Sequence, residues 1–104
     1  MNQYKVFFDD LWAEDKRMAV IDGVETRILL GTINAANYAS TYGVSIQSGS
    51  REITLVKAEL PTNWTPKPDA KMTIGGKQYR MFQDVPVQEL DPDGTLIKLT
   101  VKPV

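Results

Sequence analysis

The sequence predicts an all-β domain, a small β-barrel or sandwich of six to seven strands with one helix at its N-terminal end. Three observations carry this reading. The apolar period changes from three-and-four to two at Arg17, glycine-bearing turns recur between short apolar runs, and the last run alternates apolar with polar residues. The 104 residues suit a single domain with one modest core, residues 1–16 forming the helical segment and residues 17–104 the barrel.

In residues 3–16, Tyr4, Phe7, Phe8, Leu11 and Trp12 fall at spacings of three and four among Asp9, Asp10, Glu14 and Asp15. That pattern is an amphipathic helix with an aromatic stripe, and such a stripe must be buried against something. It either covers the open end of the barrel or docks on a partner, where large aromatics serve as anchors.

From Met18 the chain reads as strand. Met18 to Ile21 lead into Asp22-Gly23, after which Val24, Thr26, Ile28 and Leu30 alternate with Glu25, Arg27 and Leu29. Asp-Gly between two such runs predicts a hairpin, because a type I′ turn needs positive φ at both central positions. Residues 31–43, with Asn34, Asn37, Ser40 and Thr41 around Tyr38 and Tyr42, have no clean period and read as a long loop or a short frayed helix. Val44 and Ile46 suggest another extended run, Ser48-Gly49-Ser50 a turn, and Ile53 and Leu55 a further strand.

Pro61, Pro66 and Pro68 then make a stiff extended connection, since each fixes φ and lacks a donor. Met72 and Ile74, the turn Gly75-Gly76, and Tyr79 and Met81 predict a second hairpin, followed by a break at Pro86. Asp91-Pro92-Asp93-Gly94 suits a type I turn with glycine in the left-handed position after it. In the last strand Ile97, Leu99 and Val101 alternate with Lys98, Thr100 and Lys102, one face buried and one wet.

Composition narrows the function. There is no Cys and no His, which removes thiol nucleophiles, imidazole bases and the usual zinc, copper and haem ligands; no catalytic, metal or cofactor site is expected. A formal charge of −1 argues against autonomous nucleic-acid binding, which calls for a basic surplus. No apolar run is long enough to span a bilayer, and no signal peptide follows Met1, so the expected place of synthesis and residence is the cytoplasm.

Four motifs have plainer explanations than chemistry. Asp91, Asp93 and Gly94 lack the alternating ligands and distal Glu of a calcium loop, and Gly75-Gly76-Lys77 lacks the spacing of a phosphate loop. The carboxylates Asp9, Asp10, Glu14 and Asp15 read as a solvated helix face. Asn63-Trp64-Thr65 fits a glycosylation pattern without the secretory signal that would make it one.

In the C-terminal half, Asp69-Ala70-Lys71-Met72-Thr73-Ile74-Gly75-Gly76-Lys77-Gln78-Tyr79, Val85-Pro86, Asp91-Pro92-Asp93-Gly94 and Leu96-Ile97-Lys98-Leu99 resemble the strands and turns of phage head-tail joining proteins of the lambda type. The order of the earlier elements is similar too. The resemblance covers most of the chain in layout and about the last third in residues. It implies a small β-barrel, monomeric when free, that assembles into a ring between the filled head and the tail and catalyses nothing. It implies as partners the head-completion or portal side, the tail side and further copies of the chain, and as location the virion, with the bacterial cytoplasm during assembly.

A ring former must show two surfaces to its neighbours, and segments that order on assembly suit this. The interface candidates are therefore Phe7, Phe8 and Trp12 on the helix and Asn34, Asn37, Tyr38 and Tyr42 in the mid-chain segment. The rival reading is a carbohydrate- or peptide-binding module in which Tyr38, Tyr42, Trp64 and Tyr79 form an exposed stacking platform, or another tail or neck protein of a phage. Placement decides: aromatics clustered on one exposed barrel face favour ligand binding, aromatics on helix and loop favour assembly.

Overall fold

The structure, a computed structural model, describes residues 3–33, 35–43, 45–60, 64, 65, 67, 70–82 and 87–104. Asn34, Val44, Pro61, Asn63, Pro66, Pro68, Asp69, Val85 and Pro86 lie outside the described residues, and with them the expectations placed there. The elements are α1 (Gln3–Asp15), β1 (Met18–Ile21), β2 (Val24–Thr32), α2 (Ala35–Tyr42), β3 (Arg51–Val56), a 3₁₀ turn (Lys57–Glu59), β4 (Met72–Ile74), β5 (Lys77–Met81), β6 (Gln88–Glu89) and β7 (Leu96–Pro103).

Every strand pairing is antiparallel. The order β3-β2-β1-β4-β5-β7, closed by β3 on β7, makes a six-stranded barrel, and β6 adds a seventh strand on β7. One edge of β7 serves two partners in turn, β6 at Ile97 and Lys98 and β5 at Val101 to Pro103, while its other edge pairs with β3 along six residues. Closure removes the exposed strand edges that a flat sheet of these lengths would leave open to aggregation.

The turns follow residue chemistry. Asp22 (φ 49°) and Gly23 (φ 85°) both take positive φ, as the type I′ hairpin between β1 and β2 requires. Gly75 and Gly76 do the same between β4 and β5. In the last turn the Asp91 carboxylate accepts from the Leu96 backbone N–H at 2.9 Å, and Gly94 (φ 66°) donates to the Asp91 carbonyl at 3.1 Å. Asp91 is thus spent on holding its own turn, the plain explanation the sequence favoured over calcium.

Inside the barrel, Ala19 and Ile21, Ile28, Ile53 and Leu55, Met72 and Ile74, Met81, and Ile97, Leu99 and Val101 project inward at every second position. Leu60 and Ala70 join them from the connections. The opposite positions of β3 and β7 are the surprise. Val56, Leu96 and Thr100 are buried although they face outward, because helices lie over that wall. The expected wet face of β7 is therefore buried at Thr100 and half-buried at Lys98 and Lys102.

Two further expectations are corrected. Helix α1 does not cover the open end of the barrel but packs on the outside of the wall, Phe8 meeting Val56 and Leu96 with Leu29 beside them. Residues 45–47 form no strand, so Ile46 is not part of an extended run; it packs beside Tyr38 and Phe82 instead. Of the two readings of the mid-chain segment, the short helix is the one found: α2 is eight residues long and ends at Gly43 (φ 69°), whose N–H donates to the Ala39 carbonyl at 3.0 Å.

Candidate functional site

Helix α1 divides its aromatic stripe between two faces. Tyr4, Phe8 and Trp12 recur at steps of four and turn to the barrel, and Phe8 is completely buried. Phe7 and Leu11, one position ahead, turn to solvent at 61% and 40% exposure, with Asp10 and Glu14 on the same outward side. Phe8 is thus a core residue of the single chain and Phe7 a surface one.

What pins α1 to the wall is Arg27, which the sequence reading passed over as a polar strand position. Its guanidinium lies 5.3 Å from the Phe8 ring centroid and 5.1 Å from that of Trp12. It also pairs with Asp9 at 2.8 Å and with Glu59 of the 3₁₀ turn at 2.5 Å. Helix, strand and turn meet in one cationic clamp stacked on aromatic faces. Glu59 first, with Asp9, holds Arg27 firmly in its charged form, and Asp9 sits below the usual carboxylate range through its bond to Lys5, reinforced by Arg27. The Trp12 indole N–H completes the attachment by donating to the Arg17 carbonyl at 2.7 Å. No sequence signal singled it out, because Arg27 takes this role only from the helix stripe that the fold lays over β2.

Helix α2 covers the other end of the same wall. Tyr38 is only 8% exposed, packs with Phe82, and meets Tyr42 edge-on at 5.3 Å between ring centroids. Its hydroxyl donates to Glu52 and lies 3.0 Å from the Thr100 hydroxyl, and Glu52 and Thr100 are themselves register partners across β3 and β7. Burial, aided by Glu52, pushes the phenol up to about 12. Tyr42 is half-buried and accepts from the Gln88 amide of β6 at 2.5 Å. Tyr38 therefore serves the fold rather than a free interface. Asn37 stays on the exposed side of α2, and Asn34 lies outside the described residues.

The stacking platform is not assembled. Tyr38 is buried in the outer cluster, Tyr79 packs half-buried against the barrel core, and the Trp64 indole N–H is committed to the Asp22 carboxylate at 2.9 Å. Asp22 also accepts from the Lys71 backbone N–H at 3.0 Å, and these two bonds, Lys71 first, lower its pKa. A hollow of about 440 Å³ beside Trp64 is lined by Lys57, Leu60, Asp93 and Thr95, and a second of about 250 Å³ lies along β4 and β5 between Lys71, Gln78, Tyr79, Arg80 and Val104. Among the described residues no three acidic side chains converge as a metal site would need.

Large apolar side chains are exposed at Val6, Phe7 and Leu11 on α1, at Met18 and Val20 on β1, and at Leu90 and Val104; of these Phe7 and Leu11 stand on an element held rigidly by Arg27. The chain matches no protein-family model, no curated protein and no solved structure, so its own geometry and residues carry the functional reading.

Proposed function

We propose that the chain is a non-catalytic structural component of a tailed phage, a head-tail joining protein that assembles as a ring between the filled head and the tail. The observation that carries this reading is α1. A helix clamped to the barrel by Arg27, Phe8 and Trp12 nevertheless holds Phe7 and Leu11 out to solvent. Maintaining large apolar side chains in the open costs solubility unless a partner covers them, and aromatic anchors on a rigid element are what protein interfaces use.

Two features support it further. The described residues among those that carry the resemblance to lambda-type joining proteins fall on β4, its glycine turn, β5, the Asp91 turn and the first half of β7. Closure leaves little strand edge for a partner to extend, so neighbours must be met through outer faces. The aromatics expected of a carbohydrate or peptide platform are split instead, Tyr38 buried, Tyr42 and Tyr79 half-buried in separate clusters and Trp64 bonded to Asp22.

In this role the protein is made in the bacterial cytoplasm, ends in the virion, and contacts the head-completion or portal side, the tail side and its own copies. Deleting the gene from the phage that encodes it is the test. The expected lysate contains DNA-filled heads and free tails in separate populations under the electron microscope. Joined, infectious particles in normal numbers would overturn the proposal.

A further inference from the structure

Resting on that reading, we propose that the second surface of the assembly is the outer wall of β4 and β5, and that its occupant is the outward face of α1 from a second copy of this chain. The wall carries an unusual arrangement. Arg80 and Lys102 are direct register partners on β5 and β7, two like charges held side by side. Such a pair is unfavourable in an isolated sheet. Lys71 stands nearby around a hollow of about 250 Å³ that Gln78 and Arg80 also line, and Val104, exposed just past the C-terminal end of β7, gives it an apolar side chain. Arg80 and Lys102 form no ion pair with any described residue, Lys102 instead lying 5.1 Å from the Phe82 ring centroid.

Helix α1 offers the complement. Asp10 and Glu14, four apart, repel each other on the exposed side, and neither forms an ion pair with a described residue. Phe7 projects beside them at 61% exposure, one turn from Leu11. One surface is an apolar knob flanked by two acids; the other is a partly apolar hollow flanked by cations. Docking one on the other relieves both like-charge pairs and covers Phe7.

The two surfaces cannot meet within one molecule. Helix α1 rests on Leu29 of β2, Val56 of β3 and Leu96 at the start of β7, with its Phe7 side turned away from the barrel, whereas β5 pairs with the opposite end of β7 at Val101 to Pro103 and β4 lies beyond it. The contact is therefore heterologous, each copy giving its helix to one neighbour and its wall to the next, which closes into a ring or continues as a filament. This is the geometry a ring-shaped connector needs, derived from where the charges sit.

Sedimentation of the purified chain at about 1 mM and low salt tests the contact, at a concentration suited to weak association. The wild type is expected to associate in a concentration-dependent way, and raising salt from about 50 to about 500 mM should weaken it at least about tenfold by screening. A helix variant (Phe7→Ser with Glu14→Lys) and a wall variant (Arg80→Glu) should each be monomeric while keeping the wild-type urea midpoint. Mixed together they should form dimers and nothing larger, because one retains a working wall and the other a working helix. A wild type that stays monomeric, variants that associate like it, or a mixture without dimers would overturn the contact. The gene deletion reads the connector role separately: separated heads and tails with no solution association would sink the contact alone, and solution association with normal particles would sink the role alone.

Discussion

Phe7 and Phe8 are neighbours in sequence with opposite fates, and replacing each with alanine separates folding from assembly. Phe8 is fully buried against Val56 and Leu96. Removing roughly 150 Å² of buried ring at about 25 cal/mol per Å² forfeits about 4 kcal/mol, inside the roughly 3 to 5 kcal/mol typical of Phe→Ala in a core. The loss of the ring beneath Arg27 adds about 0.5 to 1 kcal/mol. Because α1 lies on the outside of a closed barrel, part of that loss can appear as undocking of the helix before the barrel unfolds. Phe7→Ala removes an exposed side chain and should shift stability by no more than about 0.5 kcal/mol. Urea unfolding followed by tryptophan fluorescence, paired with hydrogen exchange of α1 amides, checks both. An unchanged midpoint together with unchanged α1 protection for Phe8→Ala, or a loss of several kcal/mol for Phe7→Ala, would refute the placement of the helix.

Gly23→Val should cost about 1 to 3 kcal/mol although no atom stands within 4 Å of the added Cβ, because φ is +85° there; an unaltered denaturant midpoint would count against the hairpin. Tyr38→Ala should cost about 3 kcal/mol or more from its buried ring, whereas a surface role would leave stability intact. Tyr38 also predicts an alkaline limb. Its folded pKa of about 12 exceeds the ordinary 10.0, so the stability it contributes is fully present below pH 10.0 and is lost as pH rises toward 12. Tyr38→Phe should flatten that limb in pH-dependent unfolding, and a wild-type slope surviving in the variant would assign the effect to another group.

Much of the strand layout was readable because turns are local. Asp22-Gly23, Gly75-Gly76 and Asp91-Pro92-Asp93-Gly94 each demand a particular backbone whatever surrounds them, and the hairpins followed. What could not be read was long-range. The pairing of β3 with β7 brings together residues about 45 apart in sequence, and no periodicity announces it. The same closure explains the misread faces. Thr100 looks polar and exposed by alternation, yet it is buried because α2 lies over it and Tyr38 bonds to it. Ile46 looked like strand because it is apolar and β-branched, but its packing partners are Tyr38 and Phe82.

The candidate surface was half legible. The helix stripe was found, but its division into an inward Tyr4, Phe8 and Trp12 and an outward Phe7 and Leu11 depends on which side meets the barrel. Asn37 and Phe7 remain exposed as an interface residue must be, while Phe8 and Tyr38 are absorbed by the fold. Arg27 and the cross-strand pair of Arg80 and Lys102 were invisible one at a time, since their meaning lies in what stands beside each in space.

The central claim is that the chain joins heads to tails through the outward face of α1. The most direct measurement adds purified protein to DNA-filled heads and free tails from the gene-deleted phage and counts infectious particles. Wild-type protein should restore them, and Phe7→Ser, equally stable in urea, should not. Full restoration by Phe7→Ser would contradict the role of α1, and no restoration by the wild type would contradict the connector itself.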